Sequence, residues 1–355
     1  MDKKVLFALS SMGSGGAERV VSILTKQFIK NGYDVGLLLT YFDAKDLYYD
    51  IDPRVNVHFI KDYSANKSSF SKILAIRKII KNNSYTCVIS FLTNVNILLI
   101  LSTLFLRVRL IASERSSVYF LNKFSLLSIL RRFLYLLADV IVVQTSQNKK
   151  ELSKNLLCVK LDKIKIIPNP YNSIIDKLEK SSYELRKRII AVGRYSQEKR
   201  FEDLIDAFSL VFDNSWRLDI FGHGKLKEHL ISYSKTKHHN IHINDNSNDI
   251  YNEMINSDIF VLTSEFEGYP NVLVESLALG VPSISYDCPD GPRELSDNGK
   301  NLLLVENGNI NELKKALGKL SSDIFLRESL SRNSIKYTRE SLNSQKIFSL
   351  WKSII

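Results

Sequence analysis

Short runs of β-branched residues and leucine alternate along this chain with longer stretches in which apolar positions recur every three or four residues. The short runs read as buried strands and the longer ones as amphipathic helices, so the alternation predicts parallel sheets flanked by helices, an α/β fold. In the first half the strand runs are Val5–Ser10, Asp34–Thr40, Val55–Ile60, Cys87–Phe91, Arg109–Ser113, Val140–Thr145 and Ile164–Pro168. In the second half they are Arg188–Val192, Arg217–Phe221, Ile241–Asn244, Ile259–Thr263, Ser283–Tyr286 and Leu302–Val305. So many strands exceed an open sheet of usual size. They divide into two domains, residues 1–170 and 186–341, joined through Pro168-Asn169-Pro170 and the polar segment after it, which disfavour helix. Ligands of such a pair are expected in an inter-domain cleft.

Two apolar stretches bear on membranes. Val95–Leu106 is too short to span a bilayer and is bracketed by Asn94 and Arg107. Residues 123–137 (KFSLLSILRRFLYLL) set Lys123, Arg131 and Arg132 among leucines. That segment reads either as a core helix of the first domain or as a surface helix resting on anionic lipid. The first strand run, Val5–Leu9, is too short for a signal core, so the expected place is the cytoplasm, with possible attachment at the inner face of the cell membrane.

Composition sharpens this picture in two ways. The 49 basic residues outnumber the 38 acidic ones, a formal charge of +11 that favours anionic partners: phosphorylated ligands, nucleic acid or an acidic leaflet. No nucleic-acid module or interleaved basic–aromatic stripe accompanies the charge, which argues against nucleic acid. Cys87, Cys158 and Cys288 are far apart, in no metal or redox spacing, and read as buried reduced thiols.

Candidate chemistry begins after the first strand, at Ser11-Met12-Gly13-Ser14-Gly15-Gly16-Ala17-Glu18-Arg19, ahead of a helical run from Val20 to Lys30. Gly15 and Gly16 let backbone approach a phosphate or sugar, although a plain tight turn also suits them. A dinucleotide fingerprint would need a small residue at Glu18 and an acid near Thr40 or Tyr41, so that reading fails.

The most informative stretch is Asp258–Asp287. It reads as strand, loop, short helix from Asn271 and second strand, with Gly280 and Pro282 ending the helix. Glu267 in the loop can accept hydrogen bonds from sugar hydroxyls, and Glu275 in the helix can hold a ribose diol. The free amides between Gly268 and Leu273 can bind a phosphate.

Glu267-Gly268-Tyr269-Pro270-Asn271 through Glu275, then Gly280-Val281-Pro282, resembles the signature of retaining glycosyltransferase family 4, of GT-B fold. The Gly15–Glu18 loop, Ile167-Pro168-Asn169, Val192-Gly193-Arg194, Lys199 and Gly222-His223-Gly224 follow the same family order. The resemblance implies two Rossmann-like domains facing each other across a cleft, with the end of the chain, about 342–355, crossing back onto the first. It implies that Arg194 and Lys199 hold the donor diphosphate and Glu267 the donor sugar. Glu275 would bind the ribose, amides near Asn271, Val272 and Leu273 the phosphates, and Gly193, Gly222 and His223 would lie beside the nucleotide. The run Asp287-Cys288-Pro289-Asp290-Gly291-Pro292-Arg293-Glu294 is similar to members that use UDP-sugars, many of them building lipid-diphosphate-linked bacterial glycans.

Asp50-Ile51-Asp52 matches an Asp-x-Asp metal motif formally, but Pro53 makes a turn the better reading, and metal independence is expected. Where the family often carries an acceptor-side polar residue, this chain has Ser113-Glu114-Arg115-Ser116, so Glu114 and Arg115 are either acceptor contacts or a structural salt bridge. The expected activity is transfer of a hexose or N-acetylhexosamine from a UDP-sugar to a glycan, carried on a lipid diphosphate. The rivals are an epimerase or hydrolase of the same fold and a non-catalytic nucleotide-sugar binder.

Overall fold

A computed structural model describes residues 4–41, 47–115, 125–156, 159–178 and 185–355. Cys158, Ser116 and Lys123 lie outside the described residues. The chain forms two compact units: Met1–Pro170 with Ser344–Ile355, and Tyr171–Asn343.

Unit 1 is built on strands β1 (Lys4–Leu9), β2 (Asp34–Leu39), β3 (Asn56–Phe59), β4 (Cys87–Phe91), β5 (Arg109–Ser113), β6 (Val140–Val143) and β7 (Ile164–Ile166). They form one sheet in the order β3-β2-β1-β4-β5-β6-β7, and every pairing is parallel. Helices α1 (Gly16–Lys30), α2 (Ser69–Asn82), α3 (Thr93–Thr103), α4 (Leu126–Leu134) and α5 (Ser146–Asn155) connect them. Both sheet faces are covered, so the strands read as continuous apolar runs. Val5, Phe7 and Leu9 of β1 enter one core; Leu6 and Ala8, on the opposite face, enter the other.

Unit 2 carries β8 (Arg188–Val192), β9 (Arg217–Phe221), β10 (Ile241–Asn244), β11 (Ile259–Leu262), β12 (Ser283–Tyr286) and β13 (Leu303–Val305). Their order is β10-β9-β8-β11-β12-β13, again all parallel. Its helices are α6 (Phe201–Val211), α7 (Lys227–Lys235), α8 (Ile250–Ile255), α9 (Asn271–Ala278), α10 (Pro292–Ser296), α11 (Ile310–Ser322) and α12 (Ile324–Ser341). Alternate residues of β8 again serve two cores, Ile189 and Ala191 on one face and Ile190 on the other.

The last helix, α13 (Ser344–Lys352), belongs to unit 1. Ile347, Phe348 and Trp351 are buried in the core shared with α1. Phe348 meets Phe28 edge-on at 5.0 Å, Gln27 donates to the Ser344 hydroxyl at 2.7 Å, and Arg109 Nε donates to the Ile354 carbonyl at 2.6 Å.

Two expectations change. The segment after Pro170 is not a plain linker: Tyr171 and Ile175 are buried in a unit 2 core, and the Tyr171 amide donates to the Leu342 carbonyl. Helix α1 begins at Gly16, four residues before Val20, with Gly15 as its N-cap. Glu18 lies in the first turn, where a carboxylate suits the helix dipole. Among the described residues no helix is long and apolar enough to cross a membrane.

Candidate active site

In unit 2 the chain order reverses between β8 and β11: β9 and β10 extend the sheet on one side, β12 and β13 on the other. Open α/β sheets bind ligands at the carboxyl ends of the strands that flank such a reversal. Gly193 and Arg194 follow β8, Gly222 and His223 follow β9, and Ser264 to Gly268 follow β11. Three neighbouring strands thus deliver most of the candidate residues to one edge.

The loops after β8 and β9 interlock through backbone. Gly193 N donates to Phe221 O at 3.0 Å, and Tyr195 N donates to His223 O at 2.7 Å. A Cβ on Gly222 would lie 1.9 Å from the Gly193 carbonyl oxygen. Backbone cannot swing aside as a side-chain tip can, so Gly222→Ala is expected to part the two loops. Cα-to-Cβ overpacking of this kind costs about 1–3 kcal/mol. The loss should appear as a lower melting temperature together with weakened nucleotide binding by calorimetry; an unchanged melt and unchanged affinity would refute the close approach.

Lys199 closes a 3-10 turn at residues 197–199, and its backbone is tied to the loop after β11. Thr263 Oγ1 donates to the Lys199 carbonyl at 2.8 Å, and Glu265 N donates to the Glu198 carbonyl at 2.8 Å. The side chains then converge. Lys199 Nζ lies 2.6 Å from Glu267 Oε1, Ser264 Oγ donates to the same oxygen at 2.7 Å, and Lys199 Nζ reaches Ser264 Oγ at 3.4 Å. Lys199 and Glu267 are mostly buried, at 15% and 13% side-chain exposure, where an ion pair is screened less than at the surface. Burial, and after it the Glu267 carboxylate, push the nearby Cys288 thiol well above its ordinary range, so it stays protonated and inert.

The other candidates divide. Arg194 is apart from the Lys199 cluster: its side chain is 71% exposed and reaches Glu198 at 3.4 Å. Burial works to raise the Glu198 carboxyl, yet bonds from Ser196 and its own amide, with the Arg194 charge, hold it below the ordinary range. His223 is exposed, with Nδ1 2.9 Å from Asn246 Nδ2. Gly268 and Asn271 flank the start of α9, whose N-cap is Pro270. The Leu273 amide is not available to a phosphate, because it already donates to Pro270 O at 3.0 Å; the tight turn that Pro270 starts consumes it. Val272 is half-buried in the first turn. Glu275 is buried at 3% exposure, and Tyr251 donates to its Oε1 at 3.2 Å.

Ser264 and Tyr251 were not singled out from sequence. A serine three residues before Glu267 carries no periodic signal, and Tyr251 meets Glu275 only through the packing of α8 on α9.

Gly15, Gly16, Glu114 and Arg115 are in unit 1. Gly15 O accepts from Tyr49 at 3.2 Å. Of the two readings of Glu114, acceptor contact or structural salt bridge, its surroundings favour the structural one. Glu114 is 1% exposed, accepts from Thr93 at 2.8 Å and from Tyr135 at 2.9 Å, and its ion pair is with Arg131 at 3.8 Å. The Arg115 guanidinium donates to Asn169 and lies over the Phe91 and Trp351 rings. Asp50 pairs with Lys26 at 2.8 Å, and Asp52 pairs with Arg54, whose hydrogen bonds hold the Asp52 carboxyl down at about 2. Among the described residues no three His, Cys, Asp or Glu side chains gather as metal ligands.

Two doubly wound parallel units in one chain are the architecture of the GT-B class of α/β enzymes, and the family models and structural neighbours place the chain there. Residues 14–173 match the family model Glycosyltransferase Family 4, residues 174–337 match Glycosyl transferases group 1, and the chain belongs to the glycosyltransferases that combine these two domains. An uncharacterized glycosyltransferase of Haemophilus influenzae is 27% identical, over 99% of this chain and 100% of that one. The N-acetylgalactosamine-N,N'-diacetylbacillosaminyl-diphospho-undecaprenol 4-alpha-N-acetylgalactosaminyltransferase of Campylobacter jejuni is 28% identical, over 98% and 97%. Among solved structures, the lipopolysaccharide outer core galactosyltransferase WaaB superposes with a TM-score of 0.76 at 19% identity, covering 99% and 98%.

Proposed function

We propose that this glycosyltransferase moves a hexose or N-acetylhexosamine from a UDP-sugar, with retention at the anomeric carbon, onto a sugar hydroxyl of a lipid-diphosphate-linked bacterial surface glycan. The observation that carries the reading is the Lys199–Glu267–Ser264 cluster at the switch point of unit 2. A leaving nucleoside diphosphate needs fixed positive charge in a site shielded from water. Lys199 supplies it next to a carboxylate that can hold donor hydroxyls. Glu275, buried one turn into α9, offers a second carboxylate for the ribose. In the transfer, the bond between the anomeric carbon and the phosphate oxygen breaks, and its electron pair leaves on the diphosphate. The acceptor oxygen supplies the pair for the new glycosidic bond, and its proton passes to the leaving phosphate or to solvent. Lys199 stabilises the charge that develops, with Arg194 free to swing in from solvent, so no metal is required for that role.

Support for the acceptor class comes from the Campylobacter relative, whose name specifies an undecaprenol diphosphate acceptor and a transferred N-acetylgalactosamine. The similarity of Asp287–Glu294 to UDP-sugar users supports the nucleotide.

The test is transfer by purified protein across a panel of UDP- and GDP-sugars, with lipid-linked acceptor extract and with EDTA. The expected result is acceptor-dependent release of UDP from one donor, unchanged by EDTA, and a product of the donor's own anomeric configuration. Release without acceptor would replace transfer with hydrolysis or epimerisation. Release of GDP alone would overturn the nucleotide, and loss of activity in EDTA would overturn metal independence.

A further inference from the structure

The charge of the chain is unevenly shared. Residues 1–170 and 344–355, unit 1, hold 27 Lys and Arg against 12 Asp and Glu, a formal +15. Residues 171–343, unit 2, hold 22 against 26, a formal −4. The basic excess therefore belongs to the unit that carries the leucine-rich segment.

Within that segment, α4 is apolar on two faces. Leu127, Leu130 and Leu134 turn inward and pack on a unit 1 core, and Arg131 turns inward to Glu114. On the outward face Leu126 is 73% exposed, Ile129 45%, Phe133 52% and, in the turn that follows, Leu137 54%. Their spacing of three, four and four residues keeps them on one stripe of the helix surface. Helix packing explains the inward leucines but gives the outward ones no partner among the described residues.

A contiguous exposed stripe of this kind marks an interaction surface. Its neighbours are cationic. Arg132 is exposed on α4 itself, and Lys150 and Lys154 are exposed on α5, which covers the same side of the sheet. The foot of the stripe is fixed by Lys163, whose Nζ donates to the carbonyls of Leu136 and Ala138 at 3.2 Å each. Outward apolar side chains beside basic ones fit a bilayer interface with anionic headgroups.

We infer that the outward face of α4, ending at Leu137, is a docking surface for an anionic phospholipid bilayer. Its leucine, isoleucine and phenylalanine side chains enter the interface, and Arg132 with the α5 lysines meets the lipid phosphates. Both readings of the leucine-rich segment are then true of opposite faces of α4. The inference complements the proposed lipid-carried acceptor, but its test uses neither donor nor acceptor, so the two can fail separately.

The test is flotation of the full-length protein with phosphatidylcholine vesicles and with mixed phosphatidylglycerol–phosphatidylcholine vesicles. Wild type is expected to float with the anionic vesicles only. The double variant I129S/F133S should bind at least about tenfold more weakly and Arg132→Glu about fivefold more weakly. Phe325→Ser, at a site 80% exposed in unit 2, should bind as wild type. All substitutions are at exposed positions, so melting temperatures should be unchanged, and Phe133→Gln alone repeats the test with less perturbation. Failure of wild type to float, or equal binding by I129S/F133S and Phe133→Gln, overturns the inference. A dimer in sedimentation that I129S/F133S dissolves would assign the stripe to a second copy of the chain instead.

Discussion

Replacing Lys199 with alanine is expected to lower kcat/KM for the donor by about 10²–10³-fold, the usual cost of removing one preorganised group that stabilises developing negative charge. The substitution also leaves Glu267 without its 2.6 Å partner, so a loss could come from a misplaced carboxylate instead of a missing cation. A double-mutant cycle separates the two. If Lys199 serves only to hold Glu267, then Lys199→Ala costs nothing further once Glu267→Gln has been made. If Lys199 acts on the diphosphate, the double variant is slower than either single one, and that is the expected outcome. Lys199→Arg keeps the charge but not the fit, since space beside the Lys199 stem is limited: a Cβ on Gly193 would already lie 3.5 Å from it. It should fall between wild type and alanine. The measurement is nucleoside diphosphate release at subsaturating donor, with the melting temperature as a control for folding. Full activity of Lys199→Ala would sink the assignment of the site.

The strands were legible because each is buried on both faces and reads as an unbroken apolar run; Cys87–Phe91 and Arg188–Val192 coincide with β4 and β8. The pairing of the strands into two sheets follows from the same pattern plus strand number. Boundaries were less legible where a local signal competes with the helix period. Glycine at residues 15 and 16 suggested a loop, yet Gly16 is already helical, because Gly15 can cap and Glu18 complements the first turn. The site is a mixture. Lys199 and Glu267 were singled out through a motif, and nothing in their separation along the chain says that their side chains meet. That contact arises from β8 and β11 being neighbours. Glu114 shows the converse. Its position after β5 left an acceptor contact and a structural salt bridge both open, and only the packing of Thr93, Tyr135 and Arg131 around it favours an internal role. Arg131 was likewise grouped with Arg132 in a segment read as either core or surface, and one position of helix rotation sends the two to different faces.

Trp351→Ala is expected to destabilise unit 1 by about 3–5 kcal/mol, the range for removing a large aromatic side chain from a well-packed core. Trp351 is fully buried near the end of the chain, its ring 6.0 Å from that of Phe91 and under the Arg115 guanidinium at 5.8 Å. Together with Ile347 and Phe348 it ties α13 to α1, β1 and β4. Local sequence offers α13 little on its own. Nine residues are too few for a stable isolated helix, so its order depends on this packing. The indole Nε1 has no hydrogen-bond partner among the described residues, an unsatisfied donor that phenylalanine would remove. Trp351→Phe should therefore stay within about 1 kcal/mol of wild type, its smaller volume offset by the lost polar group. Native-state hydrogen exchange reads the effect directly: amides of β1 and β4 should lose about 10²–10⁴-fold of their protection in Trp351→Ala and little in Trp351→Phe. Unchanged protection in the alanine variant would mean that α13 is not part of the unit 1 core. A phenylalanine variant as damaged as alanine would mean that the indole nitrogen has a partner after all, and that Trp351 holds the end of the chain by a polar bond as well as by packing.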